Sequence, residues 1–471
     1  MTSTAKPPPP RASQTLRKGF DLRTATALAF ADVSPIVALY AIFTLGLLAA
    51  GPGFWWAFPI VLAGQLLVAC VFGELASRWP YEGSVYQWAR HVRGPGAGWF
   101  AAWAYMWGLT IALSTLSYGA AGFLLEAFGV DEPGKAATMA TALGILVLGS
   151  LANIVGRRTL KTLVVASLIC EVLASVGLGT VLLLFYRENP VGVLFEGIGG
   201  APLLGAPLLA ATAYVGWSFV GFEAAGAIAE EVERPERDVP KALIFSLLAV
   251  GAIVMYSAAG LILAIPDMSA AADGDPVADT LVAHFGSAVG RPLLIMFVIG
   301  FLASFLAVQA AVSRVIWASA RDRALPGSRV LGRLAGTERL PVNAIVLTGA
   351  GAAVFVLLSG STLYAVLVNF TTVGFYVAFG LPVWGAAVQH LRGGWRPGPF
   401  TLGRLSGPVT YLAAVWLAVQ TVNICWPRDT DRPWYIDWSM VITFTAVAAA
   451  GTALYLGWSR RRIGPAMAER S

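Results

Sequence analysis

Three carboxylates stand alone within long apolar stretches of this chain: Asp32, Glu171 and Glu223. A charge at mid-bilayer depth costs several kcal/mol unless it is paired, protonated or wetted. Groups of this kind therefore carry protons, meet cations or line water-filled paths. Asp32 lies two residues before Ser34. It either faces a substrate ammonium, takes up a proton or bonds to a neighbouring backbone break. Glu223 follows Gly221 and Phe222 and reads in the same way, against a purely structural hydrogen-bonded carboxyl. Glu171 either carries a proton or helps coordinate sodium through hard oxygen ligands.

Two of these acids sit at interruptions in their own segments. Ser34-Pro35-Ile36-Val37-Ala38 interrupts the first apolar stretch, and Gly216-Trp217-Ser218-Phe219-Val220-Gly221 interrupts another about 185 residues later. Proline lacks an amide donor and clashes with the preceding turn, and glycine eases unwinding, so neither stretch favours continuous helix. In hydrocarbon, freed backbone groups survive only where they line a cavity or are buried in protein. Paired broken helices in two halves of a chain point to a solute site near the midplane. Trp217 offers an indole face that attracts a cation by about 0.5 to 2 kcal/mol, or it merely packs.

The elements that must position these residues are membrane spans. With 57% hydrophobic and 12% charged residues over 471 positions, the chain is too apolar for an ordinary soluble domain. Twelve segments of about 20 apolar residues can be marked off, giving an all-α polytopic membrane protein. They run 25–50, 54–77, 97–125, 136–154, 160–186, 207–230, 240–264, 292–318, 341–360, 362–389, 408–426 and 436–459. With the N-terminus inside, 27 of the 32 Lys and Arg residues fall in cytoplasmic loops, tails and the adjoining segment ends. The positive-inside rule thus puts both termini in the cytoplasm, at the cell (cytoplasmic) membrane. Spreading of the basic residues over short loops also argues against a nucleic-acid partner, leaving the lipid bilayer and a small-molecule substrate. Residues 1–24 read as a disordered cytoplasmic tail, and 460–471 as another.

Segments one to five (25–186) and six to ten (207–389) can be laid over one another, with 408–459 left over. Five is odd, so the second set crosses in the opposite sense. Short amphipathic stretches around Val85–Trp88 and Pro276–Phe285 occupy matching loops on opposite faces, as an inverted repeat requires.

Three further stretches carry a family resemblance: Phe72–Tyr86 after segment two, Gly221-Phe222-Glu223 with Ala229–Pro240 after segment six, and Ser313–Pro326 with Pro341-Val342-Asn343. Together they resemble the amino acid/polyamine/organocation (APC) superfamily of permeases, closest to its amino acid/choline transporter branch. The resemblance implies a five-plus-five inverted-repeat (LeuT-like) fold with broken helices one and six and two extra C-terminal helices. It further implies a substrate held by its carboxylate and amine at the breaks, through Ser34, Pro35, Ile36, Val37, Ala38, Trp217, Ser218, Phe219 and Gly221. Many relatives carry Gly-x-Gly where this chain has Ile36-Val37-Ala38, which leaves room for a substrate other than a standard α-amino acid. At the place of Glu171, the resemblance implies a lysine in a proton-coupled branch; here Lys161 lies near the cytoplasmic end instead.

The expected function is a secondary active transporter moving an amino acid or small amine by alternating access. Coupling to protons through Asp32, Glu223 and Glu171 is expected ahead of sodium coupling or exchange, with no cofactor. Glu74 and the Pro80–Gly83 turn read as a cytoplasmic gate loop. Trp103 and Trp107 share a face of segment three, and either borders the cavity as a gate or packs on lipid. Tyr376, with Asn369, Thr371 and Thr372, reads as an outer gate or as interhelical glue. No Walker loop, His-Glu-x-x-His or serine elbow supports an enzyme, and no filter motif supports a channel. His91, His284 and His390 lack metal-ligand partners at helical spacing, and Cys70, Cys170 and Cys425 read as small buried groups, so no metal site is expected.

Overall fold

The computed structural model describes residues 21–463 except 82, 131–132, 157–166, 201–202, 270–273, 337–338, 359–363 and 429–433. Most of the two expected tails, and Lys161, lie outside the described residues. Among those described, the chain is helical, with one isolated bridge between Ala335 and Leu340. Among the described residues, eleven helical stretches are long and apolar enough to cross a membrane. The remaining apolar segment, Val342–Leu358, is a shorter helix of 17 residues.

Segment one begins at Leu22, where the Asp21 side chain accepts the Thr24 amide and caps the first turn. It stops at Val33 and restarts as Pro35–Tyr40. Segment six runs helically over Ala206–Val215, tightens to a 3₁₀ turn at Gly216–Phe219 and re-forms a short helix at Ala224–Ala227. Segment five carries a π-helical stretch at Val172–Gly177, immediately after Glu171. The amphipathic loop stretches are both helices, Val85–Arg93 and Pro276–Phe285.

Buried small residues bring segments three (Pro95–Ala127) and ten (Tyr364–Leu391) together. A Cβ added to Gly374 would stand 2.8 Å from the Gly108 Cα, so no larger residue fits that crossing. Segments one, three, six and ten are mostly enclosed, whereas four, five, eleven and twelve turn most of their apolar surface outward. In a bilayer this is the expected division between a core that holds a site and a rim that meets lipid.

Candidate functional site

The two breaks meet each other. Ser34 adopts φ 51° and ψ 110°, a conformation rare for a residue with a side chain, and Gly221 adopts φ +99°. Proline at 35 removes one amide that the restarted helix would otherwise leave unpaired. The Ser34 hydroxyl caps that helix by accepting the Val37 amide at 3.2 Å. Where the chains cross, a Cβ on Gly221 would lie 2.9 Å from Asp32 Oδ2 and 3.4 Å from the Asp32 carbonyl carbon. Glycine is thus required at 221 both by its dihedral and by the approach of segment one. The Ser218 hydroxyl completes the junction by donating to the Ala38 carbonyl.

Each acid has a distinct setting. Glu223 is fully buried: the Tyr105 hydroxyl donates to its Oε1 at 2.6 Å and the Gly221 amide to its Oε2 at 3.0 Å. Glu171 reaches across from segment five to the break in segment one. The Ser34 hydroxyl donates to its Oε1, and the Ile36 amide donates to its Oε2 at 2.8 Å. Tyr40 strengthens the same contact by donating to the Ala174 carbonyl at 2.8 Å, inside the π stretch. A π turn leaves carbonyls out of the ordinary ladder, and here one of them serves as an interhelical acceptor. Asp32 differs from both. It is 8% exposed, and among the described residues nothing donates a hydrogen bond or offers a positive charge to its carboxylate.

The other residues expected at the site divide between the junction and its surroundings. Ile36 presses its side chain on Gly300 of segment eight, while Val37 and Ala38 are buried beside it. Trp217 is 6% exposed at the segment-six turn, and Phe219 packs on Phe58 of segment two at 6.3 Å between ring centres. The fully buried Tyr376 hydroxyl comes within 3.1 Å of a Cβ built on Gly216 and faces the Gln65 side chain. Trp107 lies elsewhere, edge-on to Phe355 of segment nine and to Trp103. Trp103 in turn donates to the Val447 carbonyl of segment twelve at 2.8 Å. Glu74 is a staple at the membrane end: it accepts the Leu402 amide at 2.8 Å and the Thr401 and Ser406 hydroxyls, fixing the strand of chain before segment eleven.

Two participants escaped the sequence reading. Tyr105 lies between Trp103 and Trp107, and two residues along a helix turn the side chain by about 200°, so the tryptophan face and the Glu223 face are opposite. Gln65 of segment two is fully buried, with its amide facing the Tyr376 hydroxyl. Each is a polar tip in an apolar segment, which is the signal that marks them.

Among the described residues no cluster of His, Cys, Asp and Glu could hold a metal ion. The chain is similar to an uncharacterised amino-acid permease of Schizosaccharomyces pombe, 25% identical over 93% of this chain and 84% of that one. It is also similar to the branched-chain amino acid permease of Lactococcus lactis subsp. cremoris, 25% identical over 69% and 74% of the two chains. A branched-chain amino acid permease of Bacillus subtilis is likewise 25% identical, over 72% of this chain and 74% of its own. The model of the amino acid permease family matches residues 20–449, across both breaks and all three acids, and the chain belongs to that family of membrane transporters.

Proposed function

We propose that this permease is a secondary active transporter that carries an amino acid or a small amine across the cytoplasmic membrane by alternating access, coupled to protons. One observation carries the reading. Two broken helices face each other, with the unpartnered Asp32 carboxylate lying over Gly221. A continuous helix has no use for such a junction, whereas a transporter places its substrate at one. Twelve spans in a five-plus-five inverted repeat, with cytoplasmic termini, complete the proposal; the loop helices and the distribution of Lys and Arg favour it.

Proton coupling draws its support from Glu223. This carboxylate accepts both the Tyr105 hydroxyl and the Gly221 amide, so its charge state is tied to the geometry of the segment-six break. Protonation removes one acceptor and loosens one of these two bonds. Glu223→Gln, which holds the side chain neutral, is expected to flatten the pH dependence of uptake by reconstituted protein over about pH 5 to 8 while the folded yield is kept. A pH profile unchanged from that of the unsubstituted protein would refute the role of Glu223.

A further inference from the structure

Six donors at or beside the two breaks are already engaged within the protein. Ser34 and Ile36 give theirs to Glu171, Val37 gives its amide to Ser34, Gly221 and Tyr105 give theirs to Glu223, and Ser218 gives its hydroxyl to Ala38. What remains open on the charged side is an acceptor. Asp32 is more than nine-tenths buried and has no partner among the described residues. Close to the segment-six break, the buried Tyr376 hydroxyl faces the Gln65 amide, and both are neutral groups. Positive charge is missing from the surroundings as well. No lysine or arginine occurs in 24–77, 94–134, 162–186 or 188–233, which hold the three acids, and those of segments seven and eight, which also pack on segment one, stand toward the ends of their helices.

An incoming carboxylate would therefore meet three acids, no cation and no free charged donor. An ammonium would meet an unpaired carboxylate whose burial it relieves. Glu171 decides the matter, because its own carboxylate sits on the Ser34 hydroxyl and the Ile36 amide, the donors at which a substrate carboxylate would otherwise be received. We propose that Glu171 is a specificity-determining residue that fills the anion position with a side chain of the protein, so that the substrate is a cationic amine without a carboxylate, its ammonium received by Asp32. This deepens the transport reading above and rests on it.

Decarboxylation pairs isolate the one group at issue. Thermal unfolding of the purified, detergent-solubilised full chain is followed with putrescine against ornithine, ethanolamine against serine, and isobutylamine against valine. The proposal expects at least one amine to raise the melting temperature at a concentration about tenfold or more below that needed by its amino acid. Asp32→Asn should abolish the shift by the amine. Glu171→Ala, which vacates the Ser34 and Ile36 donors, should narrow the ratio by admitting the amino acid. Glu171→Gln, whose amide oxygen can still accept the Ile36 amide, should keep the preference for the amine. Amino acids acting at the same concentration as their amines, or an unaltered ratio in Glu171→Ala, would overturn the role of Glu171 while leaving the transport reading in place. If neither series binds, the transport reading falls and the inference with it. Should Glu171→Ala fail to purify as a monodisperse protein, the ratio in the unsubstituted chain decides the question alone.

Discussion

Glu223 keeps a carboxylate in a fully enclosed place because Tyr105 and Gly221 both donate to it. A hydrogen bond to a charged group contributes about 1.5 to 3 kcal/mol, and losing one from a buried acceptor costs on that order. Tyr105→Phe removes one of the two with almost no change of volume. The expected result is a fall in unfolding free energy of about 1 to 2 kcal/mol, measured by denaturant titration, and a larger fall in uptake rate, because the break itself loosens. Equal stability and equal uptake would mean that the tyrosine hydroxyl is incidental. The acids were legible in the sequence because an ionisable residue within an apolar stretch has few structural reasons to exist. Tyr105 was hidden by its neighbours: the Trp103 and Trp107 pair drew attention to the opposite face, which packs on segments twelve and nine.

At the scale of the element, the breaks depend on residues whose backbones tolerate them. Gly221→Ala places a methyl group 2.9 Å from Asp32 Oδ2 at a dihedral that L residues avoid. Strain of this kind costs about 1 to 3 kcal/mol. The substitution is expected to lower the melting temperature of the purified protein and to eliminate uptake, whereas alanine at Gly122, where a Cβ meets nothing within 4 Å, should do neither. Both breaks could be placed from the sequence since Pro35 and Gly221 are poor in continuous helix for reasons intrinsic to each residue. Nothing in Val172-Leu-Ala-Ser-Val-Gly177 marks a π turn, because that turn arises from tertiary contact, with Tyr40 taking the Ala174 carbonyl. The reach of Glu171 to Ser34 spans 137 positions of sequence and was likewise invisible.

Across the whole molecule, the loop helix Val85–Arg93 is locked to the end of segment eight. Arg90 pairs with Asp322 at 2.9 Å, and the Tyr86 hydroxyl donates to the same carboxylate oxygen at 2.9 Å, all three being buried. Beneath the segment-six break, Ser84 donates to the Glu223 carbonyl at 3.2 Å, and a Cβ on Gly226 would stand 2.7 Å from the Trp88 ring. This loop helix thus closes one end of the site. Breaking a buried ion pair by removing one partner costs about 3 to 5 kcal/mol. Asp322→Ala is accordingly expected to lower the unfolding free energy well beyond the loss expected for Tyr105→Phe, measured by the same denaturant titration.

The central claim, that facing breaks with an open carboxylate make a transport site, is tested most directly by accumulation. Purified protein is reconstituted into liposomes, a pH gradient, alkaline inside, is imposed, and entry of a labelled amine or amino acid found to bind is followed against time. The account predicts accumulation above equilibrium that collapses when the gradient is dissipated and is absent in Asp32→Asn. Accumulation in Asp32→Asn that matches the unsubstituted protein would contradict it.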